Sequence, residues 1–254
     1  MNGRRPRLPS GFRLVSYETL ASTNDEAKRL ARDGAEEGTL VWALEQTAGR
    51  GRRGRVWASP AGNLYASLIL RPEVPARRGM QLGFVAAIAL GEALRAIIPG
   101  RGKPAYKWPN DLLLNGRKVA GILLESESSG GARLAFIVVG IGVNLVSSPQ
   151  EAEFPATSVA EQNLGVIAPA AMLEEFARQF QHWARRWRED GFAPVRAAWR
   201  AGATLLGEPI RVQLEDVTLY GRALDLDEQG ALLLDAADGL RQISVGQVFP
   251  PILR

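Results

Sequence analysis

The stretch AYKWPNDLLLNGRKVAGILLESE, residues 105–127, predicts two β-strands joined by a tight turn. The dipeptide Asn115-Gly116 favours a two-residue hairpin, and the letters PND interrupt the first apolar run. The following stretch, LAFIVVGIGVNLV at 134–146, is apolar enough to predict a strand at the centre of the same sheet. We therefore expect a β-sheet at the core of this chain.

Four segments that precede this hairpin predict further elements of the core. The segments TLVWALEQ (39–46) and NLYASLILRP (63–72) are rich in β-branched and aromatic residues, which predicts two further strands. The segment STNDEAKRLARDG (22–34) begins with N-cap residues and ends at a glycine, which predicts a helix. The segment MQLGFVAAIALGEALRAII (80–98) has the length of a membrane span, but polar and charged residues interrupt it and favour a buried core helix.

The C-terminal part of the chain changes character. Residues 169–190 have large apolar side chains at three- and four-residue spacing, which predicts an amphipathic helix packed on the core. From about residue 205 short β runs alternate with acidic or glycine turns. The sequence thus predicts an α/β (α+β) fold: a flexible N-terminus over 1–13, a mixed-sheet domain over 14–203 and a small SH3-like β-barrel over 204–254.

Composition limits the available chemistry. The 254 residues include no cysteine, which excludes disulfides, thiolate catalysis and Cys-based metal sites. A single histidine, His182, excludes His-dyad metal sites. The reaction must then use carboxylates, lysines, arginines, hydroxyls, amides or a bound cation. No apolar signal-peptide core follows the basic start, so we expect a cytoplasmic protein that is not bound to a membrane.

A dense group of positive charge lies between the strands predicted at 39–46 and 63–72. The segment EQTAGRGRRGRVWASPAGNLY (45–65) contains four arginines, which equal the whole net charge of +4. Guanidinium groups and glycine backbone amides bind phosphate or carboxylate oxygens, and a connection this long is often functional. We expect a mobile loop that closes over a polyanion; a solvated surface loop and an arm that contacts nucleic acid are the alternatives.

Three further features fit an anion site, although each has a simpler explanation. Lys118 follows the PND break and could face a pocket, but it could also be a surface lysine. Asp111 could present a carboxylate to solvent or a cation, or it could only stabilise a turn. Four small polar residues could line the end of an apolar slot: Ser22, Thr23, Asn24 and Gln46. Capping of the helix alone would also explain Ser22 and Thr23.

Five motifs, in their order and spacing, resemble the catalytic core of biotin–protein ligase (biotin–acetyl-CoA-carboxylase ligase). They are STNDEAK, EQTAGRGRRGRVW, NLYASLILRP, KWPNDLLLNGRKVAGILLE and GIGVNL. The resemblance extends from about residue 14 to the C-terminus, where the β segment is similar to the small SH3-like domain of that family. Bifunctional members have an N-terminal winged-helix DNA-binding domain, whereas only a dozen or so residues precede the core here, so neither DNA binding nor repression is expected.

The resemblance implies a two-step reaction. Biotin and ATP, with Mg²⁺, would form biotinyl-5'-adenylate and pyrophosphate, and the biotinyl group would then pass to a lysine of a biotin carboxyl carrier domain. A lipoate–protein ligase with the same adenylate chemistry is one alternative, and a nucleic-acid-binding module is an alternative from a different class. An exposed sheet edge could pair with the carrier or with a second copy in a homodimer.

Matching the motifs residue by residue implies the functional residues. The catalytic group is Arg50, Arg52, Lys118 and Asp111. The biotin-binding group is Ser22, Thr23, Asn24, Gln46, Gly49, Arg50, Gly51, Arg52, Tyr65, Lys118, Gly121 and Leu123. The ATP-binding group is Arg50, Arg52, Arg53, Arg55, Trp57, Asn110, Lys118, Gly140, Gly142 and Asn144. Asp111 would orient and deprotonate the carrier lysine or bind Mg²⁺, and the sequence leaves these two roles open.

Overall fold

The computed structural model describes residues 5–128 and 133–250. Seven strands form a mixed sheet: β1 (Arg13–Leu20), β2 (Thr39–Gln46), β3 (Leu64–Leu70), β4 (Pro104–Lys107), β5 (Asp111–Leu114), β6 (Arg117–Ser128) and β7 (Leu134–Val143). Their order is β1-β2-β3-β7-β6-β5-β4, in which only β1 and β2 pair in parallel. The predicted central position of β7 is confirmed.

The predicted hairpin joins β5 to β6. Asn115 and Gly116 have φ angles of 51° and 79°, the left-handed backbone that a two-residue turn of this type requires. The hairpin places Asp111 opposite Gly121. This register brings the residues around the PND break next to the middle of β6.

Over residues 5–128 and 133–250, five α-helices cover the sheet: α1 (Thr23–Arg32), α2 (Ala76–Gly79), α3 (Leu82–Ile97), α4 (Pro169–Asp190) and α5 (Ala193–Ala201). Helices α3, α4 and α5 build the main apolar core on one face. Helix α1 packs on the other face through a small cluster that includes Ala27, Ala31 and Val138. The segment Ala76–Ile97 is apolar enough to cross a membrane by length and composition, but 72% of its most apolar window is buried inside the protein, as a core helix requires.

The C-terminal unit is a second, antiparallel sheet. It contains β8 (Pro209–Gln213), β9 (Thr218–Leu226), β10 (Leu232–Ala236), β11 (Gly239–Ile243) and β12 (Gln247–Phe249) in the order β11-β10-β9-β8-β12. The small all-β unit is confirmed, but the predicted barrel is wrong in one respect. Within the described residues, β11 and β12 lie at opposite ends of the sheet and do not pair, so the sheet stays open. The run RQISVGQVF also divides into two strands.

Several elements were not predicted from the sequence. Strand β1 lies at a sheet edge and its residues alternate irregularly between exposed and half-buried positions. The short helices α2 and α5 have too few residues for a clear helical pattern in the sequence. Residues 5–12 of the predicted flexible N-terminus lie against α4, where the Arg7 backbone N–H donates to Glu174 Oε1 at 2.6 Å. Residues 1–4 and 251–254, at the ends of the predicted domains, lie outside the described residues, and the domain limits stay predictions.

Candidate functional site

A cavity of about 480 Å³ lies between the start of α1, the loop after β2, and strands β6 and β7. We call residues 47–63, which connect β2 to β3, the arginine loop. Seventeen residues that the sequence predicts for the site line this cavity: Ser22, Thr23, Asn24, Gln46, Arg50, Gly51, Arg52, Arg55, Trp57, Asn110, Asp111, Lys118, Gly121, Leu123, Gly140, Gly142 and Asn144. The chain thus brings together segments that are more than a hundred residues apart.

Three predicted residues are not in the cavity wall. Tyr65 is fully buried, donates its hydroxyl to the Pro60 carbonyl at 2.8 Å, and its burial raises its pKa to about 12. Gly49 is packed inside the arginine loop, where an added Cβ would come 2.5 Å from Ser59 Oγ. Arg53 is exposed and donates to the Leu214 carbonyl at 3.4 Å. These residues support the loop and the sheet instead of lining the cavity.

The arginine loop is a folded hairpin that contacts the C-terminal sheet. The Gly51 backbone N–H donates to the Arg55 carbonyl at 2.7 Å and thus closes the tip. Arg52 Nη1 donates to Asn110 Oδ1 and to the Gly246 carbonyl, both at 3.3 Å. Burial lowers the pKa of the Arg52 guanidinium below its usual value. A guanidinium partly removed from water favours an anionic partner in the cavity.

Arg55 connects the arginine loop to two other parts of the wall. Its Nη2 atom lies 2.7 Å from Glu153 Oε2, in the irregular segment before α4, and it also donates to Gln247 on β12. Both contacts are partly exposed, so their effect on stability is small. Their effect is geometric, because the arginine loop, residue 153 and β12 close the same side of the cavity.

Trp57 covers two facing glycines of the sheet. Gly121 on β6 pairs with Gly142 on β7. An added Cβ would come 3.0 Å from the Trp57 ring at Gly121 and 2.5 Å at Gly142. The glycines thus make room for the indole, which forms one wall of the cavity.

The polar residues at the start of α1 form a connected network. Gln46 Oε1 accepts from the Thr23 backbone N–H at 2.8 Å and from its hydroxyl at 3.0 Å, and Gln46 Nε2 donates to Ser59 Oγ at 2.9 Å. The buried Ser67 hydroxyl lies 2.6 Å from Asn24 Oδ1. Ser22 caps α1. These groups are held in place by their neighbours before any ligand binds.

Two lysines and one carboxylate, of which only Lys118 is partly exposed, form a cluster in the cavity wall. Asp111 Oδ1 lies 2.6 Å from Lys118 Nζ, and Oδ2 lies 3.1 Å from Lys107 Nζ. Burial alone would raise the pKa of Asp111, but the two ammonium groups outweigh it and lower the pKa below its usual value. Burial lowers the pKa of Lys107, although Asp111 opposes this shift. The cluster has a net positive charge beside the cavity.

Arg50 is held at the mouth of the cavity by carboxylates. Its Nη2 atom contacts Asp25 on α1 and lies 3.5 Å from Glu125 Oε2 on β6. Lys28 Nζ contacts the same two residues, at 3.0 Å and 2.8 Å. Arg50 is therefore already paired with protein anions in this structure.

Sequence reasoning missed several groups around the cavity. Lys107 stands in the KWPND motif four residues before Asp111, a spacing that could have identified it. Its Nζ atom lies 4.7 Å from the Phe154 ring centre and 5.6 Å from that of Phe249. Neither aromatic residue has a local sequence signal. Glu125 ends the motif KWPNDLLLNGRKVAGILLE, but no role was assigned to it, because its contact is with Asn24 on α1, about a hundred residues away.

A protein-based Mg²⁺ site does not fit these residues. Within residues 5–128 and 133–250 no group of three or more His, Asp or Glu side chains could hold a metal ion. Asp111, the predicted candidate, has each of its oxygens against a lysine ammonium. A cation at that carboxylate would be repelled by two positive charges.

The chain is similar to proteins of known function over almost all of its length. The Biotin/lipoate A/B protein ligase family matches residues 16–144, and the Biotin protein ligase C terminal domain matches residues 205–249. The biotin–[acetyl-CoA-carboxylase] ligase of Paracoccus denitrificans is 44% identical over 90% of this chain and 96% of its own length. The bifunctional ligase/repressor BirA of Bacillus subtilis is 37% identical over 92% of this chain and 72% of its own length. The biotin protein ligase from Aquifex aeolicus in complex with biotin and ATP is 28% identical, with a TM-score of 0.78 over 93% of this chain and 97% of its own.

Proposed function

The chain belongs to the biotin protein ligase family, and from this premise we propose that it attaches biotin to a lysine of a biotin carboxyl carrier domain at the expense of ATP. In the first step a biotin carboxylate oxygen attacks the α-phosphorus of ATP, and pyrophosphate leaves. In the second step the carrier lysine attacks the acyl carbon of biotinyl-5'-adenylate. The new C–N bond replaces the acyl C–O bond, AMP leaves, and the amine proton passes to solvent.

One observation supports this function most strongly. A cationic wall, formed by Arg52 and the Lys107–Asp111–Lys118 cluster, shares a cavity with the polar network at the start of α1. The first step brings two anions together, so catalysis needs fixed positive charge more than it needs a nucleophilic side chain. The polar network suits a ureido ring, whose N–H and C=O groups must not be buried without partners.

The cavity suggests how the predicted residues divide the work. We assign Arg52 and Lys118 to the carboxylate and the phosphate of the adenylate, and the arginine loop to exclusion of water from the mixed anhydride. The polar residues Ser22, Thr23, Asn24 and Gln46 are assigned to the ureido ring. The roles of Gly140 and Gly142 change, since the side chains of Asn24 and Trp57 fill the space above them. These glycines leave the space that the Asn24 and Trp57 side chains occupy.

Asp111 is a counter-ion in this proposal, not a base. A carboxylate between two ammonium groups, with a lowered pKa, is a weak proton acceptor. Its geometry favours fixing the direction of Lys118 toward the cavity. Mg²⁺ does not fit at this carboxylate, so we derive no step through it; nucleotide phosphates are the usual site for this ion.

Lipoate ligation is the second candidate, because the matched family includes both activities. The separate match of residues 205–249 to a biotin protein ligase domain favours biotin. A nucleic-acid-binding module stays as an alternative from another class. A salt titration of binding to a random duplex tests it, since true binding to DNA weakens steeply with salt.

The experiment that tests the function is a transfer assay. The protein is mixed with biotin, ATP, Mg²⁺ and a purified biotin carboxyl carrier domain, and the carrier is analysed by intact mass spectrometry. The proposed function predicts addition of one biotinyl group at one lysine. Replacement of that lysine by arginine in the carrier is the matched control. Labelling with lipoate but not with biotin would change the assigned substrate to lipoate. No labelling with either would reject the proposed ligase activity.

Three other expectations from the sequence stay predictions: action in the cytoplasm, absence of DNA binding, and formation of a homodimer through an exposed sheet edge. Analytical ultracentrifugation, with and without biotin and ATP, measures the oligomeric state. Cell fractionation followed by detection of the protein measures its location.

A further inference from the structure

Glu125 connects two parts of the site. The motifs assign no role to this residue. One of its carboxylate oxygens accepts from Asn24 Nδ2 at 2.8 Å and lies 3.5 Å from Arg50 Nη2. Its other oxygen lies 2.8 Å from Lys28 Nζ. The side chain is 24% exposed and stands on β6, about a hundred residues along the chain from Asn24. Glu125 thus contacts both the polar network and the arginine loop.

The orientation of the Asn24 amide depends on this carboxylate. Asn24 is buried above Gly140, and the Ser67 hydroxyl lies beside Oδ1. The only other acceptor that the described residues offer to Nδ2 is the Leu123 carbonyl, at 3.5 Å. A flipped amide would place Oδ1 against the carboxylate and Nδ2 against the Ser67 oxygen. The carboxylate therefore determines the orientation of this cavity-lining amide, with Nδ2 toward Glu125 and Oδ1 toward Ser67.

We propose that Glu125 is a positioning residue for biotin recognition, which acts by fixing the Asn24 amide that faces the ureido ring. This inference rests on the proposed function, because it needs biotin in the cavity. Glu125 need not touch the ligand. A hydrogen bond to a charged group is stronger than one between neutral groups, so its loss from a buried amide is measurable in binding.

Asp25 provides a matched control. It contacts the same two cations as Glu125, Lys28 and Arg50, but its carboxylate is not among the hydrogen-bond partners of the Asn24 side chain in the described part of the chain. A variant of Asp25 therefore changes the charge around Arg50 and leaves the amide in place. If Glu125 acted only through the cations, the two carboxylates would be equivalent.

The experiment compares biotin and ATP binding by calorimetry in the full-length wild type and in the variants Glu125→Ala, Glu125→Gln and Asp25→Ala. We expect Glu125→Ala to raise the Kd for biotin by about tenfold or more and to change the Kd for ATP by less than about twofold. Glu125→Gln keeps an acceptor for Asn24 Nδ2 and should restore biotin binding to within about threefold of wild type. The Kd of Asp25→Ala for biotin should also stay within about threefold of the wild-type value.

A biotin Kd for Glu125→Ala within twofold of wild type, or an equal loss in Asp25→Ala, would overturn the proposal. A second test covers failure of Glu125→Ala to fold. Asn24→Asp places two carboxylates in contact and should weaken biotin binding, and adding Glu125→Gln should recover part of that loss; no recovery would also overturn the proposal. Failure of the wild type to bind biotin would instead reject the proposed function.

Discussion

The indole of Trp57 lies directly on Gly142, so close that a Cβ at residue 142 would come 2.5 Å from Nε1 of the ring. This contact connects the arginine loop to the centre of the large sheet. The loop is therefore anchored to the sheet through a side chain as well as to the C-terminal sheet through Arg52. The arginine loop thus has two separate contacts that hold it beside the cavity.

Gly142→Ala should displace Trp57 and open this wall. Overpacking at such a contact destabilises a protein by about 1–3 kcal/mol, and we expect adenylate formation to fall by about tenfold. Thermal unfolding and release of pyrophosphate measure the two effects. In a Trp57→Ala background the same substitution should change stability by less than about 0.5 kcal/mol, because the clashing ring is gone. If Gly142→Ala destabilised the Trp57→Ala variant as much as the wild type, the added methyl group would clash with a residue other than Trp57.

Arg52→Gly should let the adenylate escape. The variant loses the contacts to Asn110 and Gly246 that hold the arginine loop over the cavity. Released biotinyl-adenylate acylates lysines without selection, so biotin should appear on bystander proteins, as measured by streptavidin blotting and mass spectrometry of the supernatant.

Arg53→Gly is the control for this prediction. Arg53 is exposed and has a φ angle of 56°, which glycine adopts without strain. This variant removes the same charge from the same loop and should retain the adenylate. Equal leakage from both variants would mean that total charge, not the Arg52 contacts, keeps the adenylate in place.

Asp111→Asn should destabilise the protein by about 3 kcal/mol at neutral pH, because it leaves two lysine ammonium groups without their shared carboxylate. The pKa of Asp111 is below its usual value of 3.8 in the folded protein, so its stabilising effect is present at neutral pH and is lost as the pH falls through that lowered value. The difference between wild type and variant should narrow as the pH falls below 3.8, which urea unfolding at several pH values measures. A constant difference would contradict the assigned charge state.

Gly49→Ala and Gly51→Ala should differ, although the two glycines are neighbours on one loop. A Cβ at Gly49 would come 2.5 Å from Ser59 Oγ and from the Trp57 carbonyl, whereas a Cβ at Gly51 meets nothing closer than 3.7 Å. We expect a loss of about 1–3 kcal/mol for Gly49→Ala and almost none for Gly51→Ala, measured by chemical unfolding. Equal losses would mean that the hairpin form of the loop is not the stable one.

Local signals predicted the fold where neighbouring residues decide the structure. The Asn115-Gly116 turn and the apolar spacing along α4 depend on residues close in sequence, and both predictions are confirmed. The open edge of the second sheet was missed, because closure of a barrel depends on pairing between β11 and β12, which no local pattern reports. Strand β1 was missed because an edge strand with mixed exposure has a weak alternation.

The sequence predicted the site residues that stand within the continuous motifs. Most of the residues named from the sequence line the cavity, but their partners come from distant segments. Phe249 contacts Lys107 from the second sheet, and Glu125 on β6 contacts Asn24 on α1. Asp111 shows the limit most clearly, since the sequence left its role open between a base and a Mg²⁺ ligand and did not show that both of its oxygens lie against lysine ammonium groups.

The most direct test of biotin ligation is calorimetric titration with biotin and then with lipoate, each with and without ATP and Mg²⁺, followed by mass spectrometry of the bound species. We expect tight biotin binding and, with ATP, a biotinyl-adenylate that stays with the protein. Binding of lipoate in place of biotin would contradict the assigned substrate. Binding of neither would contradict the assignment of this cavity as an adenylate-forming site.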